Sequence, residues 1–409
     1  MDRSKIRHIS GLHFWVDVYA VFFPVYMVIA GLDPVKAAAI TAITSLISNG
    51  LQPLMGYWAD RVRGKLPVFL GLVVGALGMS MIGLTRNYGL LFLFVLTSRL
   101  GISLFHPGAT NIAGAAAGTR SDFGFSIFLT VGVVGMALSQ PYFSFFTGLF
   151  GNRFSVLLAA PALLFGLLYL LHPGLEITGP ESRIDLAGAG RIFLKRLGPL
   201  LLLVLIMVFR HGFIAAVGFF IAKIFAEWGF PRLSYSTANT VFNLAGGAGI
   251  LLSGLLAVRV RPKLILIASL LAFLPFFFLL LIFGQRGALW PAFLSLGAMG
   301  FVLNTSHVQN ILLGHRILPE ITATVSGILM GFAWSIGEFG LPVGAAFADR
   351  FAWAPGSASS LVVLLSFPLT AVMLTLLLPP WVERVWVQRN GAGAETGRRL
   401  GAGVPNDLS

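Results

Sequence analysis

Runs of about twenty mostly apolar residues follow one another along this chain, separated by short polar loops. They lie near residues 11–31, 35–57, 66–84, 89–114, 124–147, 154–172, 198–222, 236–257, 264–283, 289–312, 322–346 and 358–379. A helix needs about 20 such residues to cross a bilayer, whereas a membrane β-strand needs about half as many. The runs therefore predict a bundle of twelve transmembrane helices. Composition agrees: 11% of residues are charged, against roughly 25% in soluble domains, and mean hydropathy is +0.88. Gly11 to Gly31 is too long for a signal-peptide core, so it reads as a retained first span.

The charge distribution sets the orientation. The net charge of +13 is better explained by loops that orient helices than by nucleic acid, which is not an expected partner. With both termini inside, the inner segments hold nineteen of the Arg and Lys residues and the outer segments seven. The positive-inside rule then places both termini in the cytoplasm. The longest interior polar segment separates six runs from six. It predicts an N-terminal half over 1–174, a cytoplasmic loop over 175–197, a C-terminal half over 198–380 and a disordered Gly-rich tail over 381–409.

Gly56 to Lys65, "GYWADRVRGK", is echoed 198 residues later by "GLLAVRVRPK", Gly254 to Lys263, with six of ten positions identical. Each copy follows the second helix of its half. Six helices separate the copies, so the halves share one topology and are related by an axis along the membrane normal. Two parallel six-helix halves with this loop resemble the major facilitator superfamily. The loop pattern of that superfamily is matched by Gly56, Asp60, Arg61, Gly64 and Lys65. The resemblance implies alternating access, with Gly56, Asp60, Arg61 and Lys65 in the gate. Val258 stands where the second copy would carry the acid. One latch across a two-fold interface explains that tolerance.

Charges within spans are costly, about 2.5–3.5 kcal/mol each on the insertion scale, and mark functional candidates. Arg99 and Arg210 are the two bases inside spans, and Asp17 and Glu338 the clearest acids. "HFWVD" puts His13 and Asp17 on one helix face at i and i+4. A carboxylate in a dry site favours its protonated form and a neighbouring cation opposes it, which suits proton exchange. Arg99 and His106 are seven residues apart on one face, and Pro107 interrupts the backbone bonding there. Arg210, with its planar fork, is a candidate anion ligand, and His211 beside it is expected to bond to a neighbouring helix.

Asn304, His307 and Asn310, like Asn239 and Asn243, form polar stripes that line a pathway or bond helices together. Trp334 and Glu338 share a face; Glu338 is a second proton site or the partner of a buried Arg, pairing being preferred. Trp15, Tyr19, Phe213 and Trp334 are candidate wall residues. Gly132, Gly135 and Pro141 suggest close helix contact and loosely resemble the helix-5 motif of antiporters in the superfamily.

His13, Asp17, His106, Pro107 and Arg210 together resemble the fosmidomycin-resistance branch. That resemblance implies export of a small compound in exchange for protons. The expected substrate site is Arg210, Arg99, His106, Asn304, His307 and Trp334, and the expected proton site is Asp17, His13 and Glu338. The alternative is a proton-coupled uptake symporter for an organic anion. An enzyme is disfavoured: no P-loop run, no metal-binding spacing and no cysteine is present, so neither cofactor nor metal is expected. The expected partners are a small-molecule substrate, protons and lipid, with the chain a monomer in a bacterial inner membrane.

Overall fold

A computed structural model of the chain describes residues 2–62, 64–117, 121–176, 196–256, 259–318, 325 and 328–383. Most of the expected interhalf loop and tail therefore lies outside the described residues. Helices dominate. Before residue 176 they are α1 Arg3–Val18, α2 Phe22–Ala30, α3 Pro34–Val62, α4 Leu66–Ser80, α5 Tyr88–Ala117, α6 Ser121–Phe150 and α7 Ala160–Leu171. After residue 196 come α8 Leu197–Glu227, α9 Arg232–Leu256, α10 Pro262–Ala272, α11 Leu274–Gln285, α12 Leu289–Asn304 and α13 Ser306–Ile317. The last are α14 Ala333–Gly337, α15 Gly340–Ala345, α16 Ala358–Leu364 and α17 Ser366–Leu377.

Among the described residues, nine helical segments are long and apolar enough to cross a membrane. The α3 and α9 helices are as long but more polar, both carrying Thr, Ser and Asn and α3 also Gln52. Outward-facing apolar side chains are abundant, with Leu171, Leu255, Trp290 and Leu294 each more than 70% exposed. Soluble monomers rarely expose contiguous apolar surface on this scale.

Local sequence explains the helix ends. The first helix starts at Arg3, eight residues before the apolar run, because the Asp2 side chain accepts the amides of Ser4 and Lys5 at 3.0 and 3.1 Å. The Lys5 amide holds the Asp2 carboxyl below the ordinary aspartate range. Between α1 and α2 the backbone tightens to a 3-10 turn at Tyr19–Val21, where Pro24 offers no N–H to the turn before it. Gly31, with φ of 63°, closes α2 in the left-handed conformation. Asp33 then caps α3, accepting from the Lys36 amide at 2.9 Å, with Pro34 in the first helical position.

Helix α4 packs on α5, α1 on α6, and α3 on α5. In the later part, α9 packs on α12, α11 on α12 and α17 on α8. The two parts meet along a seam where α6 touches α9, α2 touches α8, and α3 touches α14 and α15.

Candidate functional site

Two polar clusters lie in these otherwise apolar helices. The first joins α1, α5 and α6. His13 Nε2 is 3.3 Å from Asp17 Oδ2, and His106 Nε2 is 3.5 Å from Asp17 Oδ1. Asp17 and His13 are buried, while the His106 side chain is 28% exposed although it sits mid-helix. Each imidazole is oriented by its other nitrogen. His13 Nδ1 donates to the Phe128 carbonyl at 2.8 Å, and His106 Nδ1 to the Ile102 carbonyl at 2.8 Å. A carbonyl only accepts, so Nδ1 carries the hydrogen in both rings, and a neutral ring presents a lone pair at Nε2. Two lone pairs thus face the two oxygens of one carboxylate. Such a set repels itself unless a positive species, a proton or a cation, sits between the atoms.

Gly132 makes room for this cluster. A Cβ there would overlap the His13 ring and lie 2.6 Å from Asp17 Oδ2. Gly135 one turn on meets the Phe14 backbone in the same way, so α6 rests on α1 nearly backbone to backbone.

The second cluster centres on Arg210 of α8, which is 1% exposed. Its Nε donates to Ser306 Oγ, and its Nη1 lies 4.0 Å from Met207 Sδ. Its Nη2 has no hydrogen-bond partner, and among the described residues no carboxylate pairs with it. Ser306 is available because the helix breaks between α12 and α13. There Thr305 and Ser306 hydroxyls donate back to the carbonyls of Val302 and Leu303 at 2.6 Å each.

Glycines bring the last wall close: a Cβ at Gly337 would lie 2.6 Å from the Val208 carbonyl oxygen, so α14 abuts α8. Trp334 consequently stacks on His211, with ring centroids 4.5 Å apart and planes 5° from parallel, and His307 lies 5.6 Å from the same ring. The Trp334 indole N–H is itself without a partner. Asn304, half-buried nearby in sequence, donates to the Gly300 carbonyl. A π-helical turn at Ile328–Phe332 precedes Trp334, an irregularity common beside functional positions.

The seam between the two parts is polar. Arg99 Nη2 lies 3.4 Å from Glu338 Oε2, an ion pair whose geometry falls short of a hydrogen bond. Asn49 donates to Ser335 Oγ at 2.7 Å, Thr240 to the Ala137 carbonyl at 2.6 Å, and Arg232 to Ser144 and Thr147 at 3.1 and 2.7 Å. Each of these contacts joins a helix before residue 176 to one after residue 196.

Several expectations change. His211 makes a ring stack rather than the expected interhelical hydrogen bond. Tyr19 and Phe213 are not wall residues. Both are fully buried, Tyr19 bonded to the Leu158 carbonyl at 2.7 Å and Phe213 packed on Phe273 and Phe277. Trp15 packs among Phe14, Tyr142 and Phe165. The absence of a metal-binding spacing along the chain does not carry into space: His13, Asp17 and His106 converge, although His106 is far from the others in sequence. Lys65 and its repeat partner Lys263 do a matching structural job. Lys65 donates to the carbonyls of Leu170 and His172, and Lys263 to that of Leu378, at the C-terminal ends of α7 and α17. The expected gate residues Gly56, Asp60 and Arg61 lie outside the residues whose side chains are described.

Comparison with known proteins settles the family. The model for the major facilitator superfamily matches residues 9–339. This chain belongs to the major facilitator superfamily. It is a multi-pass membrane transporter of small molecules and not an enzyme. It is 24% identical to the fosmidomycin resistance protein of Escherichia coli (strain K12) over 321 residues, 76% of this chain and 77% of that one. It is also 24% identical over 382 residues to the MFS-type transporter YfnC of Bacillus subtilis (strain 168), 90% of each chain. The fold is similar to that of the nucleoside transporter NupG, with a TM-score of 0.77 at 13% identity, covering 92% of this chain and all of that one. A bacterial homologue of the lysosomal transporter Spinster, inward-facing and occupied, gives a TM-score of 0.73 at 15% identity, covering 92% and 97%.

Proposed function

We propose that this transporter exports a small anionic or amphipathic compound in exchange for protons, across the inner membrane of a bacterium. The observation that carries the reading is Arg210, a buried cation with a free donor and, among the described residues, no acid beside it. An unpaired charge in a span is costly, and an incoming carboxylate, phosphate or phosphonate offsets that cost through the guanidinium fork. Trp334, His211, His307 and Asn304 supply an aromatic wall and polar edges around the bound group. The likeness to the fosmidomycin resistance protein favours export and suggests fosmidomycin, an anionic phosphonate, as the first probe.

The proton reading rests on the cluster of Asp17, His13 and His106, which calls for a positive species between its atoms. Glu338 is a second candidate carrier. A proton on Glu338 removes the charge that holds Arg99, loosening the seam between the two parts. In this reading the chain is a monomer that crosses the membrane twelve times, as two six-helix halves over 1–174 and 198–380 joined by 175–197. Both termini, including the tail over 381–409, are cytoplasmic. The more polar α3 and α9, and the α12–α13 pair that the break at Thr305 divides, complete the nine apolar segments as helices that face an aqueous lumen. The loop Gly56, Asp60, Arg61 and Lys65 gates the cytoplasmic side, Asp60 acting as the latch.

Cells expressing the protein should accumulate less fosmidomycin than control cells, and Arg210→Gln should abolish the difference. Equal accumulation in all three, with the protein present in the membrane, would reject export of this anion class.

A further inference from the structure

The cluster on α1 and α5 has a geometry that proton exchange alone does not require. One ligand atom from each of His13, Asp17 and His106 lies within 4.8 Å of the other two. Tetrahedral zinc has Zn–N bonds of about 2.0–2.1 Å, so its ligand atoms stand about 3.3 Å apart. His13 Nε2 is 3.3 Å from Asp17 Oδ2 and His106 Nε2 is 3.5 Å from Asp17 Oδ1, so each imidazole already stands at about that spacing from one of the two carboxylate oxygens. Bringing one atom from each side chain to that spacing closes gaps of about 1.5 Å at most, from 4.8 to 3.3 Å, by a turn of the Asp17 carboxylate and a shift of the partly exposed His106 ring.

The surroundings fit as well. Metal-bound histidines nearly always donate their second ring N–H to a carbonyl or carboxylate, which fixes the tautomer and aims the lone pair at the ion. Both rings here do so, to Phe128 and Ile102. Gly132 leaves the cradle open, since a Cβ would lie 2.6 Å from both Asp17 Oδ2 and His13 Nδ1. His106, 28% exposed, gives a way in and leaves room for water at an open coordination position.

We propose that His13, Asp17 and His106 form a binding site for a borderline divalent transition-metal ion, with Zn2+ the best fit. Two imidazoles and one carboxylate suit Zn2+, Co2+ or Ni2+. Mg2+ and Ca2+ prefer an all-oxygen shell, and a single carboxylate does not provide one. The ion occupies the same lone pairs that a proton would use. Metal and proton therefore exclude each other, and bound Zn2+ stalls exchange.

The test uses purified full-length protein without a histidine tag. His8 and His172, a surface pair 4.2 Å apart, are first replaced by alanine to remove an obvious competing site. Co2+ is titrated by visible absorption and displaced with Zn2+. The expected result is one saturable site per chain, weakened at least roughly 10–100-fold by His106→Gln and by Asp17→Asn. Each variant must melt within a few degrees of its parent. Should His106→Gln fail that check, the isosteric Asp17→Asn carries the comparison. Two results would overturn the site: no saturable binding at one ion per chain, or binding that a folded Asp17→Asn leaves unchanged. The further expectation that Zn2+ blocks fosmidomycin flux rests on the transport reading. Metal binding that leaves this flux unchanged would reject the cluster as the proton site of exchange while leaving the metal site in place.

Discussion

Replacing Arg210 with methionine should make the unliganded protein more stable and, at the same time, unable to hold its substrate. The side chain is 1% exposed, with a bond to Ser306 Oγ, a 4.0 Å contact to Met207 Sδ, and an Nη2 that has no partner. A charge at the centre of a span costs about 2.5–3.5 kcal/mol on the insertion scale. Replacing buried ion pairs with well-packed apolar residues ranges from neutral to stabilising by about 1–4 kcal/mol, and a charge without a partner should lie toward the stabilising end. Binding should move the other way. A guanidinium and an anion about 4 Å apart at an effective dielectric of about 20 attract by about 4 kcal/mol, close to a thousandfold in affinity.

Thermal unfolding with and without fosmidomycin reads both effects. At a ligand concentration a hundred times Kd, the parent should gain about 2.7 kcal/mol. Arg210→Met should start at a higher midpoint and not move when ligand is added. A lower starting midpoint together with retained ligand stabilisation would show that Arg210 is a structural brace, and would refute its assignment as the anion site.

Three further outcomes are expected. Gly132→Ala should force α6 and the His13–Asp17 pair apart by about 1 Å, cost about 1–3 kcal/mol from overpacking, and reduce proton-driven flux by up to about a hundredfold. Gly247→Ala, whose Cβ would meet Val133 Cγ1 at an ordinary 3.6 Å, is the control, and equal flux in both would count against the cluster. Glu338→Gln leaves Arg99 without its acid and should shift spin-label distances across the α3–α14 seam, whereas an unchanged distribution would mean the pair does not hold the two parts together. Asp2 has a lowered carboxyl affinity for protons in the fold, so its capping contribution is present above the ordinary value of 3.8 and lost as pH falls through the lower folded value. Protection of the Ser4 and Lys5 amides relative to their intrinsic exchange rates should fall over that acid range in the parent, and much less in Asp2→Ala.

Much of the fold was legible because the bilayer imposes one length and one polarity on each crossing. The gap between the runs at 11–31 and 35–57 marks the α2–α3 turn, which Gly31 closes and Asp33 caps. The cost of an isolated charge makes Glu338 a natural partner for a buried Arg without saying which one, and the structure places Arg99 3.4 Å from it. The lone pair at His106 was not legible as part of the Asp17 cluster. Helical spacing relates residues within one helix, whereas His106 reaches Asp17 only through the packing of α5 on α1. Aromatic wall residues failed for a related reason. In a chain with 12% aromatics, Tyr19 and Phe213 look the same in sequence as Trp334, and only packing separates core from lumen. In sequence the basic loops read as topological anchors and gate; the lysines in them also cap the ends of α7 and α17.

Proton-coupled export is tested most directly in liposomes containing the purified protein, with fosmidomycin flux and internal pH recorded together under an imposed pH gradient. Fosmidomycin should move against the proton flow, with both movements lost in Arg210→Gln, while Asp17→Asn retains exchange of fosmidomycin but not its coupling to protons. Movement of protons and fosmidomycin in the same direction, or continued concentration of fosmidomycin by Asp17→Asn, would contradict it.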